Sequence, residues 1–235
     1  MTEIVVSHYR EDLRWLKNVP SSLRLTVYYK DQVPDLSFLR RRVETIALPN
    51  IGREAHTWLT HLICRYTSPA DRTVFLQGRP FDHLQDTLAL LKALALGVPP
   101  QDHPEAFEWW GFIQDTDDRW GHRLFVPWSK NPERREIDIR RAHYDLFGEE
   151  GPEEYRFVPG GQFSVTAERW QSRPLSFYEK ALAYCLSDPD APYTLERMWD
   201  RLFGFPPLDE TTMQGQQTRY LKNIKTLGLT QRPTP

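Results

Sequence analysis

The chain has 235 residues, of which 40% are hydrophobic and 13% aromatic, with 8 Trp; it is long enough for one large core and too apolar to stay disordered. A formal net charge of −2 excludes a polybasic nucleic-acid or membrane-surface protein. No apolar run reaches the ~20 residues of a membrane span, the longest, Leu88–Val98, being interrupted by Lys92.

The opening MTEIVVSHYRED lacks a basic segment followed by an apolar one, so the expected compartment is the cytosol. Two cysteines, Cys64 and Cys185, support neither a disulfide framework nor a cysteine zinc site and are expected as buried free thiols.

In chain order, Ile4–Ser7 reads as a strand, Glu11–Lys17 as a helix, and Leu25–Tyr29 and Thr45–Leu48 as strands. Arg53–Tyr66 reads as a helix, because Ala55, Trp58, Leu59, Leu62, Ile63 and Tyr66 recur on one face of a 3.6-residue period. Thr73–Leu76 is a fourth strand. Asp82 then predicts a capped helix to Leu96, with Gln85 as capping-box partner and Gly97 as the stop.

Such alternation predicts a mostly parallel sheet covered on both faces. Farther on, Glu108–Ile113 and His122–Val126 read as strands around the polar loop QDTDDRWG, and Asn131-Pro132-Glu133 opens a helix that Gly148 ends. Tyr155–Val158 and Gln162–Val165 flank a Pro159-Gly160-Gly161 turn. Thr166 caps a short helix, Pro174–Leu186 forms a longer one, and Thr194 caps a helix with the apolar stripe Leu195, Met198, Trp199, Leu202 and Phe203. One domain is expected over residues 1–205. A polar tail over 206–235 carries one short helix near Gln217–Leu227.

Ligands of open parallel sheets bind beyond the carboxyl ends of the strands. Those ends collect Ser7, His8, Tyr9 and Arg10, then Tyr29, Lys30 and Asp31, then Asn50, Gly52 and Arg53, then Gln77, Gly78, Arg79, Asp82 and His83. Asn50–Arg53 opens the strongest helix, whose free N–H groups suit a phosphate; Gly52 allows close approach, and Arg53 supplies a fork for diphosphate oxygens. The alternative is a turn in which Arg53 pairs with a nearby acid.

Asp82 and His83 are candidates for base and orienting partner or for metal ligands, against a capping role for Asp82. Glu196, in the first turn of its predicted helix, is a third catalytic candidate against a dipole role. Asp115, Asp117 and Asp118 read as a solvated hairpin loop rather than a cation site. His56 and His61 fall on different sides of their helix. Neither a dinucleotide fingerprint nor a P-loop is present.

The stretches IVVSHYREDLRWL, LPNIGREAHTWLTHLICRY, TVFLQGRPFDH, PGGQFSVTAERWQSRPLSFYEKAL and LERMWDRLFG together resemble, from Ile4 to Phe205, an uncharacterised microbial family carrying a domain-of-unknown-function label. More distantly, the layout resembles the GT-A glycosyltransferases. That resemblance implies a nucleotide-diphospho-sugar transferase-like α/β fold, with a nucleotide-sugar donor held by the opening strand and its loop.

Asn50–Arg53 looks like an Asn-x-Gly-Arg segment of some bacterial polysaccharide glycosyltransferases, and Gly161-Gln162-Phe163 resembles an acceptor-side segment. Such enzymes carry Asp-x-Asp after the fourth strand, holding Mn or Mg; this chain has Gln77-Gly78-Arg79 there. Transfer without metal would rely on Arg10, Arg53 and Arg79 to stabilise the leaving diphosphate. The expected function is thus glycosyltransferase-like, with an unassigned acceptor and cofactor. The alternatives are a noncatalytic carbohydrate- or nucleotide-binding protein and a metal-dependent hydrolase using Asp82 and His83.

Overall fold

The computed structural model describes residues 1–97, 106–122, 137–208, 210–213, 215 and 218–220. The first half alternates β1 (Thr2–His8), β2 (Arg24–Tyr29), β3 (Glu44–Ala47), α1 (Arg53–Cys64), β4 (Arg72–Gln77) and α2 (Thr87–Ala95). After it come β5 (Phe107–Trp109), β6 (Ile113–Asp118), α3 (Ile139–Phe147), β7 (Glu154–Phe157) and β8 (Phe163–Thr166). The chain continues through α4 (Ala167–Gln171), α5 (Leu175–Ser187), α6 (Ala191–Glu196), α7 (Trp199–Leu202), α8 (Glu210–Met213) and β9 (Thr218–Tyr220).

Six strands form the main sheet in the order β3-β2-β1-β4-β8-β5. β1 pairs in parallel with β2 and β4, and β2 with β3. β8 runs antiparallel to both β4 and β5. The predicted mixed α/β architecture with a mostly parallel sheet is therefore present. A second, antiparallel sheet has the order β7-β6-β9.

Alternation along the strands sends successive side chains to opposite faces. Val5, Tyr28 and Phe75 pack with Trp58, Leu59 and Leu62 of α1 and with Trp199 and Phe203 beyond it. Ile4, Val6, Val27, Val74 and Leu76 pack on the other face with Leu13, Trp15 and Leu16 and with Leu91 of α2. β1 is central and covered on both sides, which is why it reads as an unbroken apolar run. Among the described residues no helix is long and apolar enough to cross a membrane.

Several expectations need correcting. The segment 11–17 is a 3-10 helix, Leu13–Asn18, capped by Asp12. Asp82 caps no long helix: Pro80–Asp82 is a 3-10 turn, and α2 starts only at Thr87. The Asp82 carboxylate faces Arg79 (3.2 Å), while Thr87 Oγ1 donates to Leu84 O at 2.5 Å. The stretch read as a solvated loop is strand β6, with Asp115, Thr116 and Asp117 buried. A buried arginine, Arg197, pairs with Asp117, and that tertiary partner overrides the local turn preference of aspartate.

The apolar stripe of residues 195–203 spans two short helices rather than one. Thr194 lies inside α6, where its Oγ1 donates to Ala191 O (2.9 Å). Cys64 is exposed, and Cys185 is buried as expected. In the tail, Thr218–Tyr220 is a strand pairing with β6. The predicted strand 122–126 beyond His122, the helix start at 131–133 and the residues 221–227 lie outside the described residues.

Candidate functional site

The order of the main sheet reverses at β1: β2 and β3 lie on one side of it and β4 on the other. At such a switch point the loops leaving neighbouring strands diverge and leave a crevice. A cavity of about 240 Å³ lies there, lined by residues from the ends of β1, β2 and β4 and from the loop opening α1. Of the sequence-predicted residues, Tyr9, Asn50, Arg53 and Gln77 line it. Arg10 lies outside, on an adjoining cleft of about 450 Å³ that shares His8, Tyr9 and Glu11.

The loop after β1 is shaped by Glu11. Its Oε2 accepts from the backbone N–H of Tyr9 (2.8 Å) and of Arg10 (3.3 Å), and lies 3.1 Å from His8 Nδ1. Burial opposes the charge, but these hydrogen bonds outweigh it and bring the Glu11 pKa down to about 2. Gly78 leaves the room: a Cβ there would lie 2.4 Å from Glu11 Oε2. The Gly78 carbonyl accepts from Trp15 Nε1 at 2.8 Å, so Gly78 shapes the wall rather than facing the cavity.

The loop before α1 is unusual in its backbone. Gly52 has φ +60° and Arg53 φ +46°, Arg53 being the one non-glycine residue with positive φ among those described. Lys30 Nζ donates to the carbonyl of Ile51 (2.6 Å) and to that of Arg53. Arg53 Nη1 donates to Tyr193 Oη (3.1 Å), the guanidinium lies over the Tyr193 ring, and Nε is 3.7 Å from Glu54 Oε2.

Glu54, 17% exposed, also lines the cavity. Burial raises its pKa; the Arg53 guanidinium opposes the shift and the Glu196 carboxylate adds to it. Burial likewise lowers Lys30 to about 8, against the pull of Glu54. Glu54 and Glu11 were missed as site residues from sequence, and His8 and Lys30 were expected at the strand ends without a role. Lys30 and His8 stand at strand ends, and Glu54 follows Arg53 directly, so their positions were legible even though their burial was not.

The remaining candidates gather around Gly160 at the rim. Gln77 Nε2 donates to Gly160 O (2.8 Å), Gly160 N donates to Glu196 Oε1 (2.6 Å), and a Cβ on Gly160 would lie 2.4 Å from the His83 ring. Gly160 at φ +104° is therefore a packing point for three of the predicted site residues. Gln162, 1% exposed, accepts from Gln77 N (3.0 Å) and donates to Pro80 O and Trp110 O. The Gly161 carbonyl accepts from Trp58 Nε1 (3.0 Å). Behind this rim, Arg197 donates to Asp117, to Tyr193 O and to Glu196, tying the second sheet to α6.

The position after β4 does not fit the divalent metal that the GT-A resemblance implies. Gln77 is engaged with Gly160 and Gln162, Arg79 brings a cation, and Asp82 pairs with Arg79. Among the described residues no group of three His, Cys, Asp or Glu side chains could hold a metal ion.

No curated protein matches the chain. Residues 4–99 match a protein family described as "Protein of unknown function (DUF3431)". The resemblance read across Ile4–Phe205 is thus supported over its first part, β1 to α2, and that stretch contains every residue lining the 240 Å³ cavity; over residues 4–99 the chain is similar to an uncharacterised domain-of-unknown-function family.

Proposed function

We propose that this chain binds a nucleotide-sugar in the switch-point crevice and acts as a metal-independent, GT-A-like glycosyltransferase on a hydroxyl acceptor. The observation that carries the reading is the meeting, in one cavity between β1 and β4, of Lys30 and Arg53 with the carboxylate of Glu54. The Arg53 guanidinium, on the loop whose carbonyls Lys30 binds, suits a diphosphate, whose charge grows as it leaves. Glu54 has its pKa raised, which suits a group that must take up a proton. In this mechanism the acceptor hydroxyl gives its proton to Glu54 and its oxygen bonds the anomeric carbon. The bond from that carbon to the diphosphate breaks, and the electron pair leaves with the nucleoside diphosphate.

A second reading, a noncatalytic nucleotide or carbohydrate binder, is favoured by one observation: Glu196 accepts from Gly160 N and Asp82 pairs with Arg79, so neither carboxylate lines the cavity. A thermal-shift screen of nucleoside diphosphates and nucleotide-sugars, with and without Mn²⁺, tests the binding common to both, since a ligand of the native state raises the melting temperature. The expected result is a shift that does not need Mn²⁺. No shift with any nucleotide or nucleotide-sugar sinks the glycosyltransferase reading and the nucleotide-binding form of the second, and a shift seen only with Mn²⁺ sinks the metal-independent one.

A further inference from the structure

Lys30 stands directly after β2, and its side chain runs beneath the loop that opens α1. It is 7% exposed, and its ammonium binds the carbonyls of Ile51 and Arg53. Those carbonyls bracket Gly52 and Arg53, the two consecutive residues with positive φ. Glycine takes that conformation freely, but for an arginine the Cβ crowds its own backbone. Such a residue persists only where its surroundings over-determine it. Here the surroundings are a buried cation that draws two carbonyl oxygens to one point.

We propose that Lys30 is a positioning residue: it holds Gly52 and Arg53 in the left-handed turn that sets the Arg53 guanidinium on the cavity wall, so that diphosphate affinity depends on Lys30 through the backbone. The ligand part of this inference rests on the nucleotide-sugar reading; the backbone part does not.

The groups facing Lys30 make the inference testable by pH. Burial lowers Lys30 to about 8. It is faced by Arg53, Glu54 and His56 from α1 and by Cys185 from α5, and shares the cavity with His8 and Glu11 of the loop after β1. His56 is lowered to about 4, first by burial and then by the charge of Lys30, and Cys185 is pushed up to about 12 by burial. Neither therefore changes charge across the Lys30 titration, and Glu54→Gln controls for the remaining carboxylate.

The experiment follows the Cα and Cβ chemical shifts of Arg53, which report its φ, together with the Lys30 side-chain resonance from about pH 6.5 to 9.5, a range centred on the Lys30 value. Wild type, Glu54→Gln and Lys30→Met are compared, and uridine diphosphate is titrated alongside. The expected result is that Arg53 leaves its left-handed shifts in step with Lys30 in wild type and in Glu54→Gln. In Lys30→Met it has left them throughout, while Val74 and Leu76 of β4 stay unmoved. Uridine diphosphate affinity should fall at least about tenfold in Lys30→Met, on the scale of one charged hydrogen bond.

Left-handed Arg53 shifts retained in Lys30→Met, or Arg53 shifts that ignore the Lys30 titration, overturn the proposal. Undiminished affinity in Lys30→Met does so as well. If Lys30→Met does not fold, the wild-type titration decides alone. If wild type binds no uridine diphosphate, the binding reading loses this ligand, while the Arg53 shifts still decide the role of Lys30.

Discussion

Arg197→Met should be among the most damaging single changes outside the apolar core. Arg197 is 2% exposed and Asp117 fully buried. Arg197 Nε and Nη2 both reach Asp117 Oδ2, at 3.0 and 2.9 Å, and Asp117 Oδ1 has no partner among the described residues. Methionine keeps most of the volume over the Phe157 ring, against which the guanidinium lies, but leaves a buried carboxylate without its cation. Removing one partner of a buried pair costs about 3–5 kcal/mol.

The loss should depend on pH. Burial has already raised Asp117 to about 6, with Arg197 opposing. Because the folded form holds that proton more tightly than the unfolded chain, stability falls as pH rises from about 4 to about 6. Without Arg197 the Asp117 pKa climbs further and the window extends upward. Urea unfolding followed by tryptophan fluorescence should therefore show the largest gap between variant and wild type near pH 8, and a smaller one near pH 5. Asp117→Asn in the same chain should recover much of the loss. A loss under about 1 kcal/mol near pH 8, or one equal at both pH values, would refute the reasoning.

Three other outcomes are expected. Gly160→Ala should cost more than the ~1–2 kcal/mol of a left-handed alanine, because its Cβ also meets the His83 ring; Gly97→Ala, with φ +71° and no described residue within 4 Å of the added Cβ, should cost about that amount, and thermal unfolding of the two ranks them. Asp200, 1% exposed and raised by burial to about 7, should make wild-type stability fall as pH rises from about 4 to 7, with Asp200→Asn flatter and about 1–3 kcal/mol more stable near pH 8. Glu54→Gln should keep nucleotide affinity within a few fold while lowering nucleotide-sugar turnover about 10²- to 10⁴-fold; unchanged turnover removes Glu54 from the mechanism.

The first half of the fold was legible because its signals are local. The apolar runs at Ile4–Val6 and Val74–Leu76 lie inside β1 and β4, and the 3.6-residue period from Ala55 to Leu62 marks α1. Strand ends could be named, and of the four residues expected to converge there Tyr9, Asn50 and Gln77 line one cavity together with Arg53, while Gly52 does not line it.

The failures came where a distant partner decides. β6 reads as a loop because three aspartates favour turns; Arg197, 80 residues on, makes Asp117 tolerable in a strand. Asp82 carries the capping signature, but the chain turns at Pro80 and Asp82 faces Arg79, so the helix waits until Thr87. Glu196 and His83 looked available for chemistry because the closeness of Gly160 to both is a tertiary fact. Glu54 was passed over for the same reason, since no local pattern shows that a carboxylate beside an arginine will be buried.

Calorimetric titration of a nucleotide-sugar into wild type, Arg53→Ala and Asp82→Asn tests the cavity assignment most directly. Arg53 lines the crevice, whereas Asp82 is exposed and paired with Arg79 outside it. The expected result is binding to wild type and a loss of about 1.5–3 kcal/mol in Arg53→Ala, the scale of a charged hydrogen bond, with affinity unchanged in Asp82→Asn. Wild type that binds no nucleotide-sugar, or Asp82→Asn weakened as much as Arg53→Ala, would contradict it.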